Sequence, residues 1–290
     1  MYYFSSIYIY LYFMRNFTNN VCKICLSREL EVVEHTAKCS FCGVLLYYPY
    51  PDQDKPPQVD FYEWYNLSFE KNINNFRDIT LYSTERSLVN KPIKVLDYGG
   101  ASGQFALIFK SLFPKADVYI VDIVDESLFK EYKTINKQIK FSEFKEDKTN
   151  FDIIFLNDVY EHVEDPVALL KNLRSKLVLG GKIFIDTPRQ FWIYPFFKLI
   201  LKPIYKKILN GTVSKSHLQI WSKKSFNMSV ALSGLKIKKV DYFSELTMDT
   251  SVYLRQMKLD YAILRFLVRF FAYPLIYTFK NKIYAILEKN

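Results

Sequence analysis

Four cysteines occur in the chain as two C-x2-C pairs, Cys22 with Cys25 and Cys39 with Cys42, and thirteen residues separate the pairs. Thiolates at this spacing form two knuckles, each delivering two sulfurs to one ion, and four of them close a tetrahedral structural zinc site. Such a site keeps no open position, so its work is to organise backbone and not to catalyse. Gly43, directly after the last cysteine, suits the tight turn of a knuckle. With all cysteines confined to this short span, none is left for a disulfide framework across a 290-residue fold, which fits a reducing compartment.

A second constellation begins at Asp97. The apolar run IKVLDYG leads straight into GASGQFALIFKSLF, so Gly99, Gly100 and Gly103 fall in a strand-to-helix turn. Glycines there let backbone approach a ligand closely, and the helix N-terminus offers unpaired N–H groups. This is the usual docking place of a nucleotide-type cofactor. Asp97 precedes the turn, where it can fix its geometry or accept a hydrogen bond from an amino group. Asp122, with Ile123 beside it, ends the next apolar run nineteen residues after Gly103, the position from which a carboxylate takes both hydroxyls of a ribose. The G-x-G-x-x-G spacing of nicotinamide-binding turns is absent.

These residues need elements to hold them. Four short apolar runs, IKVLDYG, ADVYIVDIV, FDIIFLNDV and GKIFIDTP, alternate with helical stretches at 103–112 and 166–177. Runs of that length suit strands buried on both faces, and strand–helix repetition argues for a doubly wound α/β fold with a parallel sheet. Residues 235–244 and 248–254 are expected to add closing strands. The expected organisation is an N-terminal extension over 1–20, a zinc ribbon over 21–51, a helical lead-in over 59–90, and the α/β domain over 91–254. A basic, aromatic insertion at 190–216 and a C-terminal amphipathic helical segment at 255–290 complete it. The proline cluster in YYPYPDQDKPP reads as a linker between ribbon and lead-in.

The stretch LDYGGASG resembles the D-x-G-x-G-x-G motif of class I S-adenosylmethionine-dependent methyltransferases, with Ala101 at the middle glycine. NDVYEHVEDPVALLKNLRSKLVLGGKIFIDTP resembles the region of that superfamily in which E-H-V-x-D-P follows the fourth strand and G-G precedes the fifth. The resemblance covers roughly residues 93–246. It implies a Rossmann-like methyltransferase sheet, S-adenosylmethionine as cofactor, Asn157 and Asp158 lining the cofactor pocket, and Glu161 and His162 opening the next helix. CSFCGVLLYYPYP followed by FYEWY is similar to a bacterial group in which such a ribbon precedes the methyltransferase domain. That likeness implies methylation of a sugar or glycan intermediate in surface-polysaccharide biosynthesis.

Methyl transfer requires an in-line nucleophile and often a base to deprotonate it. Of three histidines, His35 belongs to the ribbon, leaving His162 and His217. His217 is the preferred base, because the resemblance places the helix after it on the substrate side; His162, Glu161 and Tyr160 are reserves, and either histidine could equally serve structure. Arg189 and nearby lysines suit phosphate or headgroup binding.

The net charge is +10, and residues 187–240 alone hold eleven Lys or Arg with no Asp or Glu. Such a field favours anionic partners: a nucleotide-linked sugar, a lipid-linked glycan or a phospholipid surface. Nucleic acid is disfavoured, since the ribbon (21–44) balances three basic against three acidic residues. The aromatic-basic segments at 190–210 and 255–290 fit peripheral contact with the inner face of a membrane, as well as a dimer or core-packing role. No apolar run reaches the roughly twenty residues of a spanning helix. The first thirteen residues, MYYFSSIYIYLYF, lack the basic region and cleavage site of a signal peptide. Met14 offers an alternative start, with a short membrane-dipping anchor as the other reading. A cytoplasmic enzyme is expected. An O-methyltransferase of a membrane quinone-type phenol and a non-enzymatic zinc-ribbon binding protein are the rival readings.

Overall fold

A computed structural model describes residues 21–33, 35–48, 69–101, 103–123, 137–141, 143–190, 217–244, 261–267, 270, 274, 278 and 280–290. The expected N-terminal extension, the linker, most of the basic insertion and the strand at 248–254 lie outside them. Two compact units divide the chain, and each is discontinuous in sequence.

The larger unit comprises Gln58–Tyr160, Asn172–Thr187 and Leu235–Asn290. Its four apolar runs become strands β4 (Lys94–Tyr98), β5 (Asp117–Asp122), β7 (Phe151–Asn157) and β8 (Leu177–Pro188), and a fifth parallel strand, β6 (Lys137–Lys140), forms from the polar KQIK that the sequence pattern did not mark. Val95 to Tyr98 are all buried, as are Ile153 to Leu156, the signature of strands covered on both faces. A seven-stranded sheet results, in the order β10-β11-β8-β7-β4-β5-β6, where β10 is Lys236–Phe243 and β11 is Lys282–Glu288. β4 pairs in parallel with both β5 and β7, β5 with β6, and β7 with β8. The chain therefore runs outward from β4 to β6 and then returns to β7 on the other side of β4. That reversal leaves a crevice at the carboxyl ends of β4 and β7 where ligands of open α/β sheets bind.

Helix α1 (Phe69–Ser83) and helix α2 (Gln104–Leu112) supply Phe76, Ile79, Phe105 and Phe109 to a core shared with Val95, Ile153, Phe155 and Phe184. The rings of Phe105 and Phe155 lie 4.6 Å apart, tilted by 53°.

One expectation changes here. The tail at 255–290 is helical only in part: α5 (Ala262–Leu267) is a helix, but Lys282–Glu288 is a strand antiparallel to β10. Its residues Lys282 to Leu287 are all buried, and a short continuous apolar run such as IYAIL fits a buried strand as well as it fits a helix. β11 pairs with β10, and the expected strand at 248–254 lies outside the described residues.

The smaller unit comprises Met1–Pro57, Glu161–Lys171 and Pro188–Gly234. Its four-stranded antiparallel sheet runs β1 (Leu30–Val33), β2 (Thr36–Cys39), β3 (Leu45–Tyr47), β9 (Gln219–Ile220). The last strand comes from far along the chain, with Leu45 opposite Ile220 and Leu46 opposite Gln219. Helix α4 (Lys223–Ser233) follows it, capped by Ser222, whose hydroxyl accepts from the Ser225 N–H at 3.0 Å and donates to the Cys42 carbonyl at 2.8 Å. The linear boundaries expected from sequence thus cut across this unit, because 161–171 and 188–234 join the ribbon's unit. Helix α3 (Pro166–Ser175) starts where the sequence pattern places it, so Glu161 and His162, which the resemblance puts at the opening of this helix, lie instead in a turn before it. Asp165 accepts from the Ala168 N–H at 2.8 Å and Pro166 occupies the first helical position, a combination that sets a helix start there.

Candidate active site

At the carboxyl end of β4 the turn is shaped by steric necessity. Gly99 has φ 77°, and a Cβ there would stand 2.5 Å from the Val159 side chain. A Cβ on Gly100 would stand 2.5 Å from the Asp97 carboxylate. Ala101 adopts φ 43°, unusual for a residue with a side chain, and its N–H donates to Asp122 at 2.7 Å. Gly103, at φ 77°, caps α2. The glycine turn is therefore folded onto the tip of β5, and Asp122 already serves as an acceptor facing that backbone. Ile123 beside it is an exposed apolar side chain.

Asp97 is buried, and one of its carboxylate oxygens has no hydrogen-bond partner among the described residues. Burial first, and then the negative charge of Asp122, push its pKa up to about 8, against a hydrogen bond from the Ala106 backbone. Gln104 Oε1 and both amide atoms of Asn157 are likewise buried without a partner among the described residues. Buried polar atoms are nearly always hydrogen-bonded, so orphans gathered around one turn point to a ligand that satisfies them. The crevice residues expected from sequence, Asp97, Gly99, Gly100, Ala101, Gly103, Asp122, Ile123, Asn157 and Asp158, all belong to the larger unit, at the ends of β4, β5 and β7.

Sequence reasoning missed three residues there. Gln104 carried a signal, as the first helical residue after the turn. Lys282 and Asp186 carried none. Lys282 is buried at the start of β11, its ammonium 3.2 Å from Asp186 and hydrogen-bonded to Asp158 as well. The Asp158 N–H donates to the Asp186 carbonyl at 3.1 Å, and Asp158 sits at φ 51°. One lysine thus holds the carboxylates of both Asp158 and Asp186.

In the smaller unit, the three candidates for acceptor chemistry converge. Glu161 is fully buried, His162 Nε2 lies 3.8 Å from its carboxylate, and the rings of His162 and His217 are 4.8 Å apart at 47°.

The ribbon's four sulfurs lie within 4.8 Å of one another, with 3.6 Å between Cys22 and Cys42 and 3.5 Å between Cys25 and Cys39. Tetrahedral zinc–sulfur bonds of about 2.3 Å place sulfurs about 3.8 Å apart, so the donor set fits zinc with little movement. The Cys42 N–H points at Cys39 Sγ at 3.5 Å, and Gly43 takes φ 76°, as a knuckle requires. Burial pushes the Cys25 thiol up to about 11, and the Cys22 partner, followed by burial, pushes Cys42 up. A divalent cation would reverse that pressure by stabilising thiolates.

A methyltransferase-domain family model matches residues 70–240. The ubiquinone biosynthesis O-methyltransferase of Coxiella burnetii (strain Dugway 5J108-111) is similar, at 23% identity over 207 residues, covering 66% of this chain and 87% of that protein. Among solved structures, the plantazolicin methyltransferase BpumL in complex with SAH is similar in fold, with a TM-score of 0.51 at 15% identity over 79% of this chain and 88% of that one. BpumL in complex with a triazolic desmethylPZN analog and SAH gives 0.50 at 16%, over 79% and 89%.

Proposed function

This chain belongs to the methyltransferase-domain family, and on that premise we propose that it methylates a sugar or glycan intermediate of surface-polysaccharide biosynthesis, with S-adenosylmethionine as donor. When bound, the donor supplies an electrophilic methyl group on a sulfonium sulfur and leaves as S-adenosylhomocysteine. One observation carries the cofactor reading: Asp122, at the tip of β5, faces the glycine turn closely enough to accept the Ala101 N–H at 2.7 Å. In this reading Asp122 also accepts the ribose hydroxyls, Ile123 offers an apolar face to the adenine, and Asn157 and Asp158 line the pocket. Asp97 and Gln104 supply buried polar atoms for the amino-acid end, and the missing side chain of Gly100 keeps the way open. His217 is the preferred base of this reading, with His162 and Glu161 in reserve. The four cysteines hold a structural zinc.

Sugar or glycan acceptors are supported by the pairing of ribbon and methyltransferase motifs and by the basic 187–240 segment. A second reading, O-methylation of a quinone-type phenol at a membrane, is favoured by the Coxiella relative and by an exposed apolar row, Tyr261, Ile263, Phe266 and Phe270. Both readings place the enzyme in the cytoplasm with room for contact at the inner membrane face, and no helix among the described residues is long and apolar enough to cross a membrane.

The test is calorimetry with S-adenosylhomocysteine, followed by transfer of labelled methyl groups to nucleotide sugars, lipid-linked glycans and membrane catechols. Wild type is expected to bind, and Asp122→Asn to lose roughly tenfold to a hundredfold in affinity, the equivalent of about 1.5 to 3 kcal/mol for hydrogen bonds to a charged acceptor. Equal affinity in both proteins refutes the ribose assignment. Labelling of the catechols alone replaces the glycan reading with the quinone one.

A further inference from the structure

Among the described residues, a second set of metal-ligating side chains lies apart from the cysteines. The donor atoms of Glu161, His162 and His217 all fall within 4.8 Å of one another. They come from two distant stretches of chain, and the backbone staples those stretches together. The N–H groups of Leu218 and Gln219 both donate to the Glu161 carbonyl, at 2.9 and 3.2 Å. The Gln219 side-chain amide donates to the Val163 carbonyl at 2.8 Å. Gln219 is itself paired to Leu46 in the ribbon's sheet. Main-chain bonds thus hold together the two stretches of chain that carry the three donors.

The Glu161 carboxylate is fully buried, with His162 Nε2 3.8 Å from it. Two imidazoles and one carboxylate form a donor set that suits borderline divalent ions such as zinc and cobalt, and sites with three protein ligands leave a coordination position open. His162 is about one-third exposed on its side chain, so an oxygen ligand can reach such a position. Drawing the donors in from these separations to the about 3.4 Å between ligands around a tetrahedral ion takes side-chain rotation of about an ångström. His35, the remaining histidine, stacks on Tyr47 in the ribbon at 5.8 Å and does not compete for this place.

We propose that Glu161, His162 and His217 bind a divalent transition cation, separate from the ribbon's zinc, with an open position for water or a substrate oxygen. The proposal goes beyond the methyl-transfer reading and stands without it. With the ion bound, His217 is a ligand in place of a lone base, and an oxygen on the open position becomes more acidic.

Metal counting on the full-length protein tests this. Zinc-loaded wild type, dialysed and analysed by mass spectrometry of the metal, is expected to hold two zinc ions per chain, and the His162→Ala/His217→Ala variant one. Retention of that one ion reports that the ribbon is intact in the variant. Cobalt-loaded wild type is expected to show intense sulfur-to-cobalt charge-transfer absorption plus weaker visible bands, and only the weaker bands should vanish in the variant. A second measurement needs no variant: zinc titrated into wild type whose ribbon is already filled should load one further equivalent, released on acidification as the imidazoles take up protons. One zinc per chain in wild type, or two that persist in the variant, overturns the proposal and leaves a histidine pair beside a buried carboxylate. Because donor binding is measured separately by calorimetry, failure here is distinguishable from failure of the methyltransferase reading.

Discussion

Asp97 shows how much chemistry one buried atom can carry. Burial and the nearby Asp122 raise its pKa to about 8, so the carboxyl group is mostly protonated at neutral pH. Its folded-state value lies above the unfolded one of about 3.9, so its contribution to stability is complete below that value and is lost as the pH rises towards 8. Asp97→Asn mimics the protonated form. Thermal melts without cofactor are expected to show this variant matching wild type near pH 4 and exceeding it increasingly up to pH 8, levelling beyond. A constant difference across that range refutes the assignment. Which residues were legible follows from the same local logic. Asp97, the glycines and Asp122 lie within one strand–turn–helix–strand unit, where spacing along the chain is spacing in space. Lys282 meets Asp158 and Asp186 only through strand pairing, and no local pattern announces it. Removing Lys282 would take away the cation beside the buried Asp186 carboxylate, a change more costly than loss of an exposed pair.

At the scale of elements, the parallel strands β4, β5, β7 and β8 were readable because their runs are apolar on both faces and bounded by glycine, proline or charge, whereas β6, as KQIK, has no such run. β11 was not, since a buried strand and one face of a short helix look alike in six or seven residues. Its place in the sheet also decides how the membrane reading is tested. Cutting the chain before 261 would remove a central strand along with the exposed row, so substitution is the cleaner route. Phe266 and Phe270 stack at 5.8 Å and, with Ile263, present bare apolar surface next to Arg265. Aromatic and aliphatic side chains flanked by cations are suited to an anionic bilayer interface. Wild type is expected to float with liposomes containing anionic lipid, and Ile263→Ser/Phe266→Ser/Phe270→Ser to remain in the soluble fraction with S-adenosylhomocysteine binding unchanged. Flotation of both proteins, or of neither, ends that reading.

For the whole molecule, the two units interleave along the chain, which no single-pass reading of domains anticipates. The ribbon's motif was plain in its cysteine spacing, yet its fourth strand is a two-residue segment without a signature of its own. Losing the metal should therefore be felt far away in sequence. Cys39→Ser is expected to raise hydrogen exchange together in residues 36–47 and 217–222, because Leu45 and Leu46 pair with Ile220 and Gln219. Persistent protection at 217–222 refutes that coupling. The same pairing has a further consequence during synthesis. At about 5 to 20 residues per second, β3 emerges from the ribosome roughly ten to thirty-five seconds before the strand that covers it. For that interval the nascent ribbon has a bare edge, and an early-captured ion holding its knuckles closed would guard it against pairing with a stranger.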